Sequence, residues 1–172
     1  LQVSDISSEM IKETKTIYNL GCDTLEVDQG TFVIYQGSHG DKGAGSADLI
    51  FPSACYLEED GIFVNTDGRM QYARKAIQPP GKAKENWKIL RALIEKLGYV
   101  PKWLDLNGLR NALFDEFPLI SKPGEIIEAP WKAVEKQKKL DSKMSLPGYA
   151  KNYYLSNSIC RASKTMGSLA RA

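Results

Sequence analysis

The chain has 172 residues, of which 42% are hydrophobic, and its 23 basic and 21 acidic residues leave a formal net charge of +2. This composition is typical of a folded globular chain with its own core and excludes a largely disordered one. The near-neutral charge also argues against a nucleic-acid-binding surface at the level of the whole chain. The three cysteines, Cys22, Cys55 and Cys160, have no metal-ligand spacing, so we predict reduced, buried thiols.

The first part of the chain predicts short elements separated by polar turns. Residues 1–15 show weak helical spacing, and residues 16–20 follow as a short strand closed by a turn. Residues 31–35 are rich in β-branched and aromatic side chains, which predicts a second strand. This strand runs into a glycine-rich loop at residues 37–45.

Residues 47–71 predict two further buried strands, each followed by a polar loop. The apolar run at residues 49–51 stops at Pro52, because proline has no N–H to give to a central strand. The run at residues 62–64 ends in turn residues at 65–68. The carboxyl ends of strands are where α/β sheets place their sites, so both loops are candidate site positions.

The second half of the chain predicts helices. Apolar residues recur every three or four positions in residues 83–97, and a second helix is predicted over residues 109–117. Residues 131–140 form a basic amphipathic segment, for which a solvated helix face is the expected role. A last helix is predicted after a cap at Ser156 or Asn157. Its apolar face has a spacing of three and four: Ile159, Ala162, Met166 and Leu169.

Strands in the first half and helices in the second define an α/β fold class with a partial, Rossmann-like sheet. We divide the chain into an α/β part at residues 1–100 and a helical extension of the same domain at residues 101–172. Three or four strands are too few for a free-standing doubly wound sheet. We therefore expect another segment or chain to complete the sheet.

The glycine-rich loop at residues 37–45 is a candidate phosphate site, because successive backbone N–H groups in glycine turns can bind anions. Neither the P-loop pattern nor the dinucleotide fingerprint fits it, so tight turns are the favoured interpretation. His39 is the one histidine of the chain, and it lies in this loop. A pair with Asp41 is open to it, but an ordinary hydrogen-bonding role is favoured because no nucleophile or base partner is evident.

Two groups of charged residues follow. Glu58, Glu59 and Asp60 are consecutive, and because neighbouring side chains do not face each other, we predict a solvated turn rather than an acid–base pair. Arg69 could hold a carboxylate or phosphate through two hydrogen bonds. An internal salt bridge from Arg69 to Asp67 or Glu58 is the favoured alternative.

Four stretches of the chain, taken in order, are similar to one known family. Residues 32–41 read FVIYQGSHGD, residues 47–71 begin ADLIFP and end EEDGIFVNTDGRMQ, residues 79–93 read PPGKAKENWKILRAL, and residues 153–166 read YYLSNSICRASKTM. The second stretch resembles a signature of the molybdopterin oxidoreductase superfamily. Together the four resemble the C-terminal part of the large iron–sulfur subunit of respiratory complex I, the NADH:ubiquinone oxidoreductase.

The resemblance implies a structural segment of a molybdopterin oxidoreductase-like domain that has no molybdenum cofactor. It implies no catalytic, cofactor-binding or metal-binding residue in this chain, although the chain belongs to an enzyme as a subunit. The iron–sulfur clusters ([2Fe–2S] and [4Fe–4S]) are expected in an N-terminal part or partner chain, because three scattered cysteines cannot supply the about four close ligands of a cluster. The expected partners are that iron–sulfur part and other peripheral-arm subunits. The expected location is the matrix side of the mitochondrial inner membrane, with no membrane span and no nucleic acid.

Two other functions are open from the sequence. The chain is a fragment of an active molybdopterin-dependent oxidoreductase if residues 37–45 and 65–69 line a pterin site. It is a vestigial nucleotide- or pterin-binding module if the old pocket still binds a small molecule.

Overall fold

A computed structural model describes residues 8–128 and 152–171 of the chain. The first half contains the strands and two short helices: α1 Ser8–Glu13, β1 Thr16–Leu20, β2 Phe32–Gly37, α2 Lys42–Gly45, β3 Leu49–Pro52, β4 Gly61–Val64 and β5 Met70–Ala73. The second half is helical: α3 Asn86–Lys96, α4 Leu106–Glu116, a 3-10 turn Pro118–Ile120, a second 3-10 turn Tyr153–Leu155, α5 Ser158–Ala162 and α6 Lys164–Leu169. The predicted order of strands before helices is confirmed.

The centre of the fold is a parallel three-stranded sheet in the order β1-β2-β3. Thr16 pairs with Phe32 at one end of β1, and Ile34 of β2 pairs with Leu49 of β3. β2 is the central strand, and its Val33 and Tyr35 side chains are buried. β-branched and aromatic residues favour this pleated, enclosed position.

β4 and β5 form a separate antiparallel hairpin, with Phe63 opposite Gln71. The two strands predicted in this region are present as β3 and β4, but the prediction that they are buried is wrong. β4 does not join the parallel sheet among the described residues, and its Phe63 and Val64 are exposed. On β3, Leu49 and Ile50 are exposed as well.

The helix predicted over residues 83–97 is present as α3. It ends where expected, with Gly98 at φ +85°, a left-handed conformation that glycine adopts without strain. Trp87 of α3 meets Trp103 edge to face, with ring centroids 6.2 Å apart, which holds the next loop against the helix. The helix predicted over residues 109–117 is confirmed as α4 and begins earlier, because Asp105 caps it at the N–H of Gly108.

The single C-terminal helix predicted from the sequence is two short helices. Asn157 caps α5, as predicted, by accepting from the N–H of Cys160. Ser163 then has an extended backbone and caps α6 by accepting from the N–H of Met166, which breaks the helical run. The basic segment predicted at residues 131–140 lies outside the described residues.

The architecture is a mixed α/β domain with small, incomplete sheets, as the sequence predicts. In the described part of the chain, none of the helices combines the length and apolar character that crossing a membrane requires. The division at residue 100 stays a prediction.

Candidate functional site

The carboxyl ends of β1 and β2 carry a three-residue charge cluster. Asp23 follows β1, Asp41 follows β2, and Arg161 reaches both of them from α5. The Arg161 Nη2 atom donates to Asp23 Oδ2 at 2.8 Å, and its Nε atom donates to Asp41 Oδ2. The Arg161 Nη1 atom also donates to the carbonyl oxygen of Leu155 at 3.1 Å. One guanidinium therefore ties the C-terminal helices to two turns of the sheet.

The same two carboxylates also accept hydrogen bonds from backbone N–H groups of the glycine-rich loop. Asp41 Oδ1 accepts from the N–H of Lys42 at 2.9 Å, and Asp23 Oδ1 accepts from the N–H of Gly43 at 3.2 Å. Gly43 is buried, and a Cβ atom there would lie 2.6 Å from the carbonyl oxygen of Cys22. Glycine at position 43 therefore allows α2 to pack closely against the turn after β1.

Within the cluster, Asp41 and Arg161 stabilise each other's charged forms. The hydrogen bond from Arg161, followed by that from the N–H of Lys42, holds the pKa of the Asp41 carboxyl below its usual value. The hydrogen bond to Asp41 in turn raises the pKa of the Arg161 guanidinium. An open cleft of about 530 Å³ adjoins the cluster. The cleft is lined by Asp23, Thr24, Leu25, Glu26, Val27, Lys42, Ser46 and Arg161.

His39 lies half-buried in a second cleft of about 290 Å³, at the ends of β2 and β3. Its Nδ1 atom is 2.9 Å from Ser38 Oγ. The pair with Asp41 that the sequence left open is not formed, because Asp41 binds Arg161. The backbone carbonyl of His39 accepts from the hydroxyl of Tyr35 at 3.3 Å. These contacts give His39 an ordinary hydrogen-bonding role, as predicted.

The three consecutive acidic residues do not form the predicted solvated turn. All three are half-buried, and each accepts a backbone N–H. Glu58 accepts from Cys55 at 3.0 Å, Glu59 from Asn86 at 2.9 Å, and Asp60 from Lys75 at 3.1 Å. The prediction failed because the donors of two of these bonds are distant in the sequence. The turn joins the sheet, the hairpin and the start of α3.

Arg69 is a structural residue, but its partner differs from the predicted one. Its Nη1 atom donates to the carbonyl oxygen of Gly124 at 2.9 Å rather than to Asp67 or Glu58. The N–H of Gly124 donates to the carbonyl of Met70 at 2.8 Å, so the contact has two parts. Together these bonds attach the hairpin to the turn that follows α4.

The cysteines are free but none is buried. Cys22 is exposed, and Cys55 and Cys160 are half-buried, which corrects the prediction of buried thiols. The side-chain hydrogen bond with Thr24, followed by a bond to the backbone of that residue, lowers the pKa of the Cys22 thiol. Among the residues that the structure describes, no three His, Cys, Asp or Glu side chains are grouped so as to hold a metal ion.

A buried polar network joins the sheet to α3, and sequence reasoning missed it. The Gln36 side chain is fully buried; it accepts from the hydroxyl of Tyr18 and donates to Asn86 Oδ1 at 2.6 Å. Asn86 Nδ2 donates to Glu59 Oε1 at 2.7 Å. Each polar group therefore has a partner, as burial requires. A glutamine in an apolar strand is the one sequence signal that could have indicated this network.

Glu85, at the start of α3, is a buried acid that the sequence did not single out. It forms salt bridges of 3.0 Å with Lys75 and with Lys88, and it accepts from the Trp87 ring N–H at 2.9 Å. Burial raises the pKa of Glu85, but the hydrogen bonds from Lys88, Lys75 and Trp87 outweigh it, so its pKa is lowered.

Acid should therefore destabilise the fold through Glu85. Because the pKa of Glu85 is lower in the folded state, its stabilising contribution is complete at neutral pH and is lost as the pH falls through and below about 4. Glu85→Gln should lower the free energy of unfolding at pH 7 by about 1–3 kcal/mol and flatten this acid-side slope. Urea unfolding between pH 3 and pH 7 measures both, with the exposed Glu95→Gln as the control. An unchanged slope in Glu85→Gln would assign the acid sensitivity to other groups.

Two backbone N–H groups of the glycine-rich loop are not available to a phosphate group. A phosphate group at the glycine-rich loop would need free backbone N–H groups, but those of Lys42 and Gly43 already bond to carboxylates. The Asp23 and Asp41 charges would repel an anion, and the guanidinium beside them is paired with both. The second segment suggested for such a site, residues 65–69, is held by Arg69 against Gly124.

Comparison with known proteins assigns the class of domain. The family model for molybdopterin oxidoreductases matches residues 2–96, which is more than half of the chain. The chain therefore belongs to the molybdopterin oxidoreductase family.

Individual proteins similar to this chain narrow the comparison from the family to one kind of subunit. The chain is 38% identical over 164 residues to the G subunit of NADH-quinone oxidoreductase from Rickettsia bellii, and 38% identical over the same length to that of Rickettsia conorii. The corresponding protein of Rickettsia felis is 37% identical over 164 residues. Each match covers 94% of this chain but 24% of the relative, so the chain spans about a quarter of the length of these relatives.

Proposed function

We propose that this chain is a structural, non-catalytic segment of the large iron–sulfur subunit of respiratory complex I. It would support electron transfer from NADH to ubiquinone by completing an α/β domain of the peripheral arm. The similarity to the G subunit of NADH-quinone oxidoreductase over 94% of the chain supports membership of that subunit. On the basis of the sequence resemblance, we assign the four stretches to its C-terminal part.

The non-catalytic role rests on one observation, the closure of the loop site by the protein's own groups. In a family whose sheet edge can bind a cofactor, this chain places Asp23, Asp41 and Arg161 against one another and against the loop N–H groups. An arginine from the C-terminal helices thus takes the position facing the loop. Two N–H groups that could bind a phosphate in this loop are already bonded within the fold, which supports a structural role for the loop.

The partners follow from the same proposal. The iron–sulfur clusters would be held by the cysteine-rich part of the subunit, on the same chain or on a separate polypeptide, and this segment would hold none. Other peripheral-arm subunits would cover the remaining exposed surface. We place the complex on the matrix side of the mitochondrial inner membrane on the basis of the sequence resemblance, while the three relatives come from bacteria.

Metal and pterin analysis tests the absence of a cofactor. The purified chain should contain no stoichiometric molybdenum or iron, and acid oxidation should release no fluorescent pterin. Arg161→Met is measured beside the wild-type chain, because the substitution removes the guanidinium that lies beside the loop. Stoichiometric molybdenum or pterin in the wild-type chain would support the active oxidoreductase instead.

The compartment is tested on intact organelles. In intact mitochondria the chain should resist added protease, and it should become sensitive once the inner membrane is opened. Alkaline carbonate should release it from the membrane fraction together with other peripheral-arm subunits. Digestion of the chain in intact mitochondria would contradict the matrix placement.

A further inference from the structure

The parallel sheet has two outer edges, and they differ in whether another strand can pair with them. One edge belongs to β3 and the other belongs to β1. Sheets built only of parallel strands are normally covered on both faces and extend over several strands, so a sheet of three strands is incomplete. The backbone contacts at each edge identify the side on which the sheet continues.

The outer edge of β3 is already closed at its carboxyl end. The carbonyl of Pro52 accepts from the N–H of Lys84 at 3.2 Å, and the N–H of Ala54 donates to the carbonyl of Lys84 at 2.8 Å. Pro52 and Ala54 therefore point outward, whereas Ser53 between them bonds inward to Gly37. Proline has no N–H to offer on that outer side, which is the position where edge strands tolerate it.

Within residues 8–128 and 152–171, the outer edge of β1 has no such barrier. The N–H of Gly21 bonds to Gln36, and the carbonyl of Lys15 accepts from Phe32, so odd-numbered positions face β2. Because successive residues of a strand point to opposite sides of the ladder, the N–H and carbonyl groups of Tyr18 and Leu20 face outward. No proline interrupts β1, and 56% of the Leu20 side chain surface is exposed.

The element before β1 also points to this side. α1 ends at Glu13, and β1 begins at Thr16, so a helix leads by a short turn into a parallel strand. The same order of helix and strand occurs in the second half of a strand–helix–strand unit, in which the first strand lies parallel in the same sheet. An apolar groove of about 270 Å³ between α1 and β1 includes Ile11, Ile17 and Leu25 in its lining.

We infer that the sheet continues beyond β1, with a parallel strand from the rest of the subunit pairing with Tyr18 and Leu20. The inference depends on the proposed function, because the occupant is polypeptide that corresponds to the large part of the Rickettsia relatives outside the matched 24%. An apolar strand rich in β-branched residues fits, because it would carry side chains into the groove and meet the exposed Leu20. The β3 edge would stay an outer edge of the domain.

Two proline variants at matched positions test the assignment. Leu20→Pro removes an outward N–H from β1, and Ile50→Pro removes an outward N–H from β3, where the wild-type side chain is also exposed, by 49%. Proline at an outward position of an edge strand leaves the inward ladder bonds in place, so both variants should fold. Circular dichroism and thermal unfolding of each purified chain check this point.

The readout is the amount of the remaining subunit that co-purifies with each tagged chain from native membranes. Leu20→Pro should reduce that amount by about tenfold or more relative to wild type, and Ile50→Pro should leave it unchanged. Loss confined to Ile50→Pro, equal loss in both variants or no loss in either would overturn the inference. Wild-type chain that brings down no other complex I polypeptide would instead overturn the proposed function, which keeps the two failures apart.

Amide hydrogen exchange gives an independent readout on the unmodified protein. The amides of Tyr18 and Leu20 should exchange rapidly in the isolated chain and slowly in the assembled complex, because they gain a partner there. The amides of Ile17 and Asn19 should be protected in both, since they face β2. Rapid exchange of Tyr18 and Leu20 in the assembled complex would contradict pairing at this edge.

Discussion

Arg161→Met should detach the C-terminal helices from the sheet. The substitution removes both ion pairs and the bond to Leu155, and it leaves the Asp23 carboxylate, whose side chain is 7% exposed, without its counter-charge. Arg161 and Asp41 are accessible to solvent, so the main cost falls on Asp23, whose remaining charge is poorly hydrated. Amide exchange in residues 152–171 should accelerate by about tenfold or more.

Arg171→Met is the matched control for this experiment. Arg171 lies in the same segment and has the same charge, but in the described residues it makes none of the ion pairs that Arg161 makes. Its substitution should leave the exchange rates unchanged. Arg161→Lys should restore part of the protection, since an ammonium cannot present the guanidinium fork to two carboxylates at once. Equal acceleration of amide exchange in Arg161→Met and Arg171→Met would contradict this account. It would mean that the positive charge of the segment, rather than the ion pairs of Arg161, stabilises its position.

Gly43→Ala should destabilise the fold although it introduces a better helix former. A Cβ atom at this position would lie 2.6 Å from the carbonyl oxygen of Cys22 and 2.7 Å from the ring of Tyr35. Backbone and a buried ring cannot easily move aside, so overpacking should cost about 1–3 kcal/mol in the free energy of unfolding. Urea unfolding at pH 7 measures this cost.

Gly45→Ala is the control in the same short helix, and its expected effect has the opposite sign. No atom lies within 4 Å of a Cβ built at Gly45, so the substitution should stabilise the chain by about 0.5–1 kcal/mol. The pair separates two explanations of the glycine-rich loop. Equal effects of the two substitutions would contradict a packing role for Gly43.

Local signals in the sequence predicted most of the elements. The strand over residues 16–20 and the helix α3 were predictable because β-branched residues and apolar spacing act over a few neighbours. β5 was missed, because its sequence MQYA has neither a β-branched residue nor clear alternation and depends on pairing with β4. The C-terminal break at Ser163 was missed because the apolar spacing continues across it.

The candidate site was harder to predict, because its contacts join distant parts of the chain. Arg161 is 120 residues from Asp41 and 138 residues from Asp23, so no spacing rule connects them. The sequence did predict that the glycine-rich loop is a tight structural turn. It did not reveal that Asp23 and Asp41 accept hydrogen bonds from the N–H groups of that turn, or that Arg161 pairs with both carboxylates.

The central claim is that this chain is a cofactor-free structural part of the respiratory NADH dehydrogenase. Native gel electrophoresis of detergent-solubilised membranes tests it most directly, with one lane stained for NADH oxidation and its duplicate probed for this chain. The chain should migrate in the NADH-oxidising band at the size of the whole complex. Migration at a smaller size, away from all NADH-oxidising activity, would contradict the account.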